Sequence, residues 1–238
     1  MRWLDLTLAS IAENVALDEA LLIEVDRGDR GSILRFWESP DYAVVMGASR
    51  RVDLDVHRET CANDGVVITR RSSGGGTVLV GPGALNVAVV APFDEIPGSA
   101  SIEQAQRHVM NRIAAAIAPL VAGVEVVGSG DLAIRGRKCA GSAQRRLRTA
   151  LLVHCSILAR FDLGRVTRYL PAPPRQPEYR QGRSHHEFLV NLDRSASEIR
   201  EAIKRAWAVP VQQETEIPTF VPDLVQEKFG EPGWIFRL

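Results

Sequence analysis

Three consecutive glycines, Gly74-Gly75-Gly76, stand between two short apolar runs, Val66–Arg71 and Thr77–Val80. Three residues without Cβ atoms weaken any helix or ladder, so the chain turns or bulges there. The full segment is Arg70-Arg71-Ser72-Ser73-Gly74-Gly75-Gly76-Thr77. Its peptide N–H groups can gather into an anion-binding nest, with two guanidinium groups at the entrance. No Gly-Lys-[Ser/Thr] follows, which excludes a P-loop, and the next residues suit a strand, which excludes a dinucleotide-binding fingerprint. A tight hairpin with two solvated arginines accounts for the same residues, and the pattern alone leaves both readings open.

The surrounding pattern sets the fold class. A short strand opens the chain over Trp3–Ser10. Ser10 with Glu13 makes a capping box ahead of Ile11, Val15, Leu17, Leu21, Leu22 and Val25 at helical spacing, and Gly28 stops that helix. Strand-like runs at Ser32–Glu38 and Tyr42–Gly47 are split by the turn Ser39-Pro40-Asp41. A short helix over Val56–Asn63 follows. Beyond the glycines, the turn Gly81-Pro82-Gly83 leads into a strand at Leu85–Ala91. Ser101 with Gln104 caps a helix reaching Val121. Val124–Val127, Leu132–Arg135 and Leu151–Leu158 read as strands, and Ser197–Ala208 and Asp223–Phe229 as helices. Strands adjoin strands as often as they alternate with helices. The expectation is therefore an α+β fold, a mixed and largely antiparallel sheet flanked by helices, in one domain spanning 1–238.

Composition narrows the function. Hydrophobic residues make up 45% and charged residues 24% of the 238, which excludes a disordered chain and a coiled coil. The longest apolar run, Ala84–Phe93, is about half of the ~20 residues that a membrane helix needs. Arg2 and Asp5 interrupt the first apolar stretch, unlike a signal peptide, so a cytoplasmic protein without a membrane partner is expected. Cys61, Cys139 and Cys155 fit neither a disulfide framework nor a four-cysteine zinc site. Net charge is zero and aromatics are 6%, with none interleaved among the basic runs, which argues against nucleic acid.

A second cluster runs from Gly128-Ser129-Gly130-Asp131-Leu132 to Gly136-Arg137-Lys138-Cys139-Ala140-Gly141-Ser142-Ala143-Gln144. Arg135, Arg137, Lys138, Arg145, Arg146 and Arg148 face one acid, Asp131. That excess suits a phosphate-bearing ligand, with Asp131 free for a hard cation such as Mg²⁺; a solvated basic hairpin is the plainer alternative. Of 29 basic residues only Lys138, Lys204 and Lys228 are lysines, so a lysine inside a motif is informative. The loop Pro173–His186 carries arginines and His185-His186. Its adjacent histidines are a weak metal signal, and a basic lid or a surface loop suits it better.

Together these clusters resemble the lipoate–protein ligase branch of the biotin/lipoate A/B protein ligase family. The pattern R-R-x-[ST]-G-G-G then L-N-x-[SA] is matched by Arg70–Gly76 and by Leu85-Asn86-Val87-Ala88. D-L…G-[RK]-K-x-[SA]-G-[SN]-A is matched by Asp131-Leu132 and Gly136–Ala143. His154-Cys155-Ser156-Ile157-Leu158 resembles H-G-[ST]-[IL]-L, and Lys228-Phe229 with Trp234 resembles K-[YF]-x-x-x-x-W. The resemblance implies a catalytic domain like that of class II aminoacyl-tRNA synthetases and biotin protein ligases. It implies ATP-dependent activation of lipoate or octanoate to an acyl-adenylate. The acyl group would then pass to a lysine of a 2-oxoacid dehydrogenase E2 lipoyl domain or a glycine-cleavage H protein. It implies Lys138 as the catalytic residue. Arg70, Arg71, Ser73, Gly74, Gly75, Gly76, Asn86, Asp131, Gly141, Ser142, Ala143 and His154 would bind substrate or nucleotide, and Asp131 would hold Mg²⁺. Leu85–Val89 and Ala140–Ala143 would line the acyl tunnel.

The chain departs from the family where Val80-Gly81 replaces His-Asp and Pro82 replaces the usual Leu. It lacks the G-R-G-R-x-G loop of biotin ligases. It ends too soon after the catalytic motifs for a C-terminal accessory domain, so either a separate subunit supplies one or none is needed. The rival within the family is an ATP-independent octanoyltransferase that forms a cysteine thioester. Cys155, beside His154, is its candidate nucleophile. Cys139, if on a strand, would point away from Lys138.

Overall fold

The computed structural model describes residues 1–210 and 213–238. The first third holds β1 (Arg2–Asp5), α1 (Ile11–Arg27), β2 (Ile33–Trp37), β3 (Ala43–Met46), α2 (Val52–Asp55), α3 (Arg58–Asn63) and β4 (Val67–Arg70). Beyond the glycines come β5 (Val78–Val80), β6 (Ala84–Pro92), α4 (Ile102–Ile117), β7 (Val124–Val127), β8 (Asp131–Ile134), β9 (Arg137–Arg146) and β10 (Ala150–Leu158). The short helices α5 (Gly164–Tyr169) and α6 (His185–Phe188) precede α7 (Ala196–Ala206), α8 (Val221–Leu224) and α9 (Pro232–Ile235). Seven strands form one sheet in the order β1-β2-β6-β10-β9-β8-β7, antiparallel except for the pair β1–β2. A smaller sheet, β4-β3-β5, pairs β3 in parallel with β4 and antiparallel with β5. The fold is α+β with a mixed, mostly antiparallel sheet.

Strand alternation divides the large sheet into two faces. Phe36, Val89, Leu151 and Val153 turn toward α4 and α7, where Val109, Met110, Ile113, Ile199 and Ile203 close one core. Ile33, Ala88, Val90 and Leu152 turn the other way, against Leu17, Leu21 and Leu22 of α1. That second face also carries Arg35, Asn86, His154 and Ser156, in register with the apolar positions. In β2, β6 and β10 the polar side chains thus share one face.

The Ser10–Glu13 capping box forms, and Gly28 closes α1 in the left-handed region at φ 82°. Several boundaries differ from expectation. The helix expected over 56–63 is α3 and starts only at Arg58, because Val56 is extended at φ −141° and separates it from α2, which was not expected. The first strand stops at Asp5, α4 ends at Ile117, and Ser195 rather than Ser197 caps α7 through a box with Glu198. The main omission is β9, whose small residues have little strand preference. Ladders on both sides hold it extended, to β10 from Ile157↔Ala140 to Leu151↔Arg146 and to β8 at Ile134↔Arg137.

Gly47, just after β3, lies against the glycine segment so closely that a methyl group there would collide with the Gly75 carbonyl oxygen. Ala48 N–H donates to Ser73 O at 2.9 Å beside it, which fixes the approach of the two chains. Gly47→Ala is therefore expected to cost about 1–3 kcal/mol, the usual range for overpacking. The urea midpoint measures it, and an unchanged midpoint would show that the loops part freely.

Candidate active site

A cavity of about 130 Å³ opens between α1, the small sheet and the polar face of the large one. Val15, Val45, Val78, Val80 and Leu152 give it apolar walls, while Ser73, Asn86, Lys138 and His154 converge on it. Leu85 and Val89, expected to line a tunnel, turn their side chains into the α4 core, as does Ala140. Gly141 and Ala143 do border the cavity.

The two arginines of the glycine segment are not at its entrance. Arg70 is fully buried, and its guanidinium donates to the carbonyls of Gly47 (3.0 Å), Arg50 (2.6 Å) and Ile235 (2.9 Å). Arg71 donates to Val45 O at 3.1 Å, Ser73 Oγ at 2.9 Å, Gly74 O at 2.6 Å and Gly76 O at 2.8 Å. Burial, then the nearby Arg50 charge, pulls its pKa down to about 10, so it stays cationic at neutral pH. Both expected phosphate ligands are instead braces of the loop. The bracing has a chemical result. In a trans peptide the N–H points opposite to the C=O, so drawing the Gly74 and Gly76 carbonyls inward turns the N–H groups of Gly75 and Thr77 outward. Gly74, Gly75 and Gly76 are exposed, and only Gly75 takes a positive φ, 86°.

Lys138, on β9, lies over Gly141, where an added Cβ would meet its Nζ at 2.7 Å. Nζ pairs with Asp131 Oδ1 at 2.9 Å, and Tyr179 OH donates to Asp131 Oδ2 at 2.8 Å. Burial, then the Asp131 charge, raises the Tyr179 pKa, so the phenol keeps its proton. Both carboxylate oxygens are engaged, and among the described residues no group of three His, Cys, Asp or Glu could hold a metal. Asp131 alone would offer an Mg²⁺ ion one carboxylate, whose oxygens Lys138 and Tyr179 hold. Ser142 also borders the cavity, while its hydroxyl accepts from Gln106 Nε2 of α4 at 2.7 Å and donates to Gly130 O at 2.5 Å. Asn86 stays on the cavity face, where Ser156 Oγ donates to its Oδ1 at 2.5 Å.

His154 is the junction. Its Nε2 lies 2.7 Å from Ser73 Oγ, and its Nδ1 lies 3.4 Å from Asp18 Oδ2. Asp18 in turn pairs with Arg35, which no sequence feature had placed in the site. The signal was present as charges inside apolar runs, Asp18 with Glu19 in Val15–Leu22 and Arg35 in Ile33–Trp37. Burial alone would raise the Asp18 carboxyl, but Arg35 and then His154 outweigh it and hold the pKa below 3.8. Glu19, also unforeseen, borders the cavity and binds Lys228 Nζ at 2.7 Å. Cys155 bounds the cavity only from behind, its side chain packed in the core under α4. Burial, then Cys139, pushes its thiol up to about 12.

The family model of the lipoyl protein ligase A/B catalytic domain matches residues 10–209. The chain belongs to that family. An Aeropyrum pernix protein named as a lipoate-protein ligase A is 33% identical over 156 residues, 65% of this chain and 56% of that one. The octanoyltransferase LipM of Carboxydothermus hydrogenoformans is 24% identical over 271 residues, covering 99% of this chain and 98% of that one. The chain spans about half the length of several relatives, such as 45% of a Mycoplasma pneumoniae protein named as a lipoate-protein ligase A. Among solved structures, a lipoate-protein ligase A bound with ATP superposes with a TM-score of 0.83 at 23% identity, over 99% of this chain and 98% of that one. The bipartite lipoate protein ligase of Thermoplasma acidophilum, described with its E2 lipoyl domain, gives 0.82 at 23%, over 99% and 95%. A Thermoplasma acidophilum structure with bound lipoic acid gives 0.81 at 22%, over 100% and 99%. These likenesses show the same fold in the lipoyl ligase family.

Asp18 supplies a pH test of the buried pair. A carboxyl whose folded pKa is depressed adds stability above its unfolded value and loses it as pH falls through the folded value. Asp18→Asn strands the Arg35 charge and is expected to cost about 3–5 kcal/mol near neutrality. The difference between the two proteins should shrink below pH 3.8, where the native carboxylate also gains its proton. Urea midpoints across acid pH read this, and a constant difference would mean that Asp18 is not the titrating partner.

Proposed function

We propose that this chain is an ATP-dependent lipoate–protein ligase. It would activate lipoate or octanoate to an acyl-adenylate and transfer the acyl group to a lysine of a lipoyl domain or H protein. One observation carries the reading: an apolar cavity is bordered both by Gly76 and Thr77 of the glycine loop and by Lys138. The acyl chain would lie among Val15, Val45, Val78, Val80 and Leu152. Its carboxylate would reach Ser73 and His154, while Gly75 and Thr77 N–H groups receive phosphate. In-line attack on the α-phosphorus needs positioning and charge neutralisation more than covalent help, and the Lys138 ammonium supplies both. ATP brings its own divalent cation on the phosphates; no protein residue is assigned to hold it. The ATP-bound and lipoate-bound neighbours support these substrates, and the bipartite neighbour supports an E2 lipoyl-domain acceptor and a separate accessory subunit. An H-protein acceptor rests on the sequence resemblance.

The rival reading, thioester transfer through Cys155, finds its support in the octanoyltransferase relatives. Against it stand the placement of the thiol under α4 and a pKa of about 12. A nucleophilic thiol needs a lowered pKa and access. Cys155→Ser is expected to leave acyl transfer within about twofold. A loss of a thousandfold, about 4 kcal/mol of barrier, would instead establish the thioester route.

Lys138→Arg separates the roles at the junction. An ammonium on a flexible stem can follow both the acid oxygen and the α-phosphate, whereas a planar guanidinium has a fixed fork. The variant is expected to fold but to lose acyl-dependent pyrophosphate–ATP exchange about a hundredfold, ~3 kcal/mol. Near-normal exchange at saturating ATP and lipoate would remove Lys138 from the reaction.

A further inference from the structure

Ser73, His154 and Asp18 make a continuous proton path inside the acyl cavity. Asp18 is buried and locked by Arg35, whose guanidinium also donates to Asn14 O at 2.7 Å and Asn14 Oδ1 at 2.8 Å. The carboxylate oxygen it leaves over lies 3.4 Å from His154 Nδ1 and favours the tautomer that carries its proton there. Nε2 is then an acceptor, and the hydroxyl 2.7 Å away is that of Ser73. Ser73 Oγ in turn accepts Arg71 Nε–H at 2.9 Å, so a cation stands beside the oxygen that would lose its proton. A serine that merely held the loop would need neither a base at its hydrogen nor a carboxylate behind that base. This is the arrangement of an activated serine.

We infer that Ser73 is a second acyl-accepting group, which takes an acyl chain from a ready-made acyl thioester or activated acyl ester without ATP. Ser73 Oγ attacks the acyl carbonyl carbon as its proton passes to His154 Nε2. The tetrahedral intermediate collapses with cleavage of the carbon–sulfur or carbon–oxygen bond, and the leaving thiolate or alkoxide takes the proton from Nε2. An ester at Ser73 remains. An incoming amine then attacks that ester and gives its proton to His154. Oγ departs and recovers the proton, leaving an amide. No oxidant, reductant or nucleotide enters. Lys138 is placed for the oxyanion. Its Nζ lies over Gly141, which faces Ser156 across the β9–β10 ladder, two positions along the same face from His154. The same pocket thus serves two acyl donors, a free acid with ATP and a preformed thioester. Cys155 turns into the core under α4, away from His154, which leaves the second role to Ser73.

The test uses the full chain without nucleotide, with p-nitrophenyl octanoate and with the octanoyl thioester of N-acetylcysteamine. A burst of about one nitrophenolate per protein is expected, with an octanoyl adduct on the peptide holding Ser73 by mass spectrometry. Ser73→Ala should abolish burst and adduct. His154→Gln should slow the burst about a hundredfold or more, the usual contribution of a general base. Cys155→Ser should change neither. Ser73→Cys keeps a nucleophile in place should the alanine variant fail to fold, and its adduct should become a hydroxylamine-labile thioester at position 73. No adduct, an adduct on another residue, or a burst that survives Ser73→Ala would overturn the proposal. Pyrophosphate–ATP exchange is scored separately. Its failure would remove the ligase reading and leave this one standing, and the reverse holds equally.

Discussion

Arg35 is a charged side chain with no exposure in the middle of a strand, and the site is built outward from it. An ion this deep persists only with an opposite charge and good hydrogen bonds close by, and here both terminal nitrogens find them while Nε does not. Asp18 supplies the opposite charge, Asn14 supplies two oxygens, and Leu6 O accepts at 3.2 Å. The partners come from α1 and the segment before it, so satisfying one guanidinium pins α1 to the inner face of the large sheet. That pinning also aims a carboxylate at His154, which holds Ser73. The geometry of the candidate site and the docking of the helix therefore rest on the same ion pair.

Arg71 does the complementary work from the small sheet. Three glycines give the loop freedom, and freedom alone would leave its amides pointing anywhere. The guanidinium removes that choice by taking two of the loop carbonyls. Gly47 permits the close approach, and Arg50 and Thr77 both reach Asp55, at 2.5 Å and 3.2 Å, so the loop exit is held as well. A loop built only of flexible residues would have to be ordered by each arriving ligand. Here the ordering is intrinsic to the fold.

Local pattern told much of this in advance. The capping box of α1, the strands on either side of the glycines and the singular lysine of the second cluster are short-range signals. The errors share a cause. Arg70 and Arg71 looked like phosphate ligands because their partners are carbonyls from Val45, Gly47, Arg50 and Ile235, which no spacing rule connects to them. Ser142 enters the site through the family resemblance, and with β9 extended, period-two alternation turns its hydroxyl to α4 while Gly141 and Ala143 face the cavity. Asp18 and Arg35 were legible in principle. A charge inside an apolar run is either on a solvated edge or paired in the core, and opposite charges in the runs of adjacent elements suggest each other.

The junction at Lys138 shows why the chain keeps a lysine where almost every other basic residue is arginine. Its Nζ is shared between the Asp131 carboxylate and the open cavity, and Gly141 leaves the space in which it moves. Tyr179, from the loop expected to be a lid or a surface feature, holds the far oxygen of Asp131 and packs on Phe188 with ring centroids 5.1 Å apart. Asp131 is thereby fixed as a resting anchor on one side of the ammonium. An anionic group entering from the loop side offers the ammonium a second partner of the same sign as the first, so moving between them exchanges one ion pair for another instead of stranding a charge. A guanidinium on Asp131 would be held by two parallel bonds and would have to break both. The compact cation, the missing side chain at Gly141 and the carboxylate fixed by Tyr179 are three parts of one requirement, a charge that can change partners without leaving the pocket.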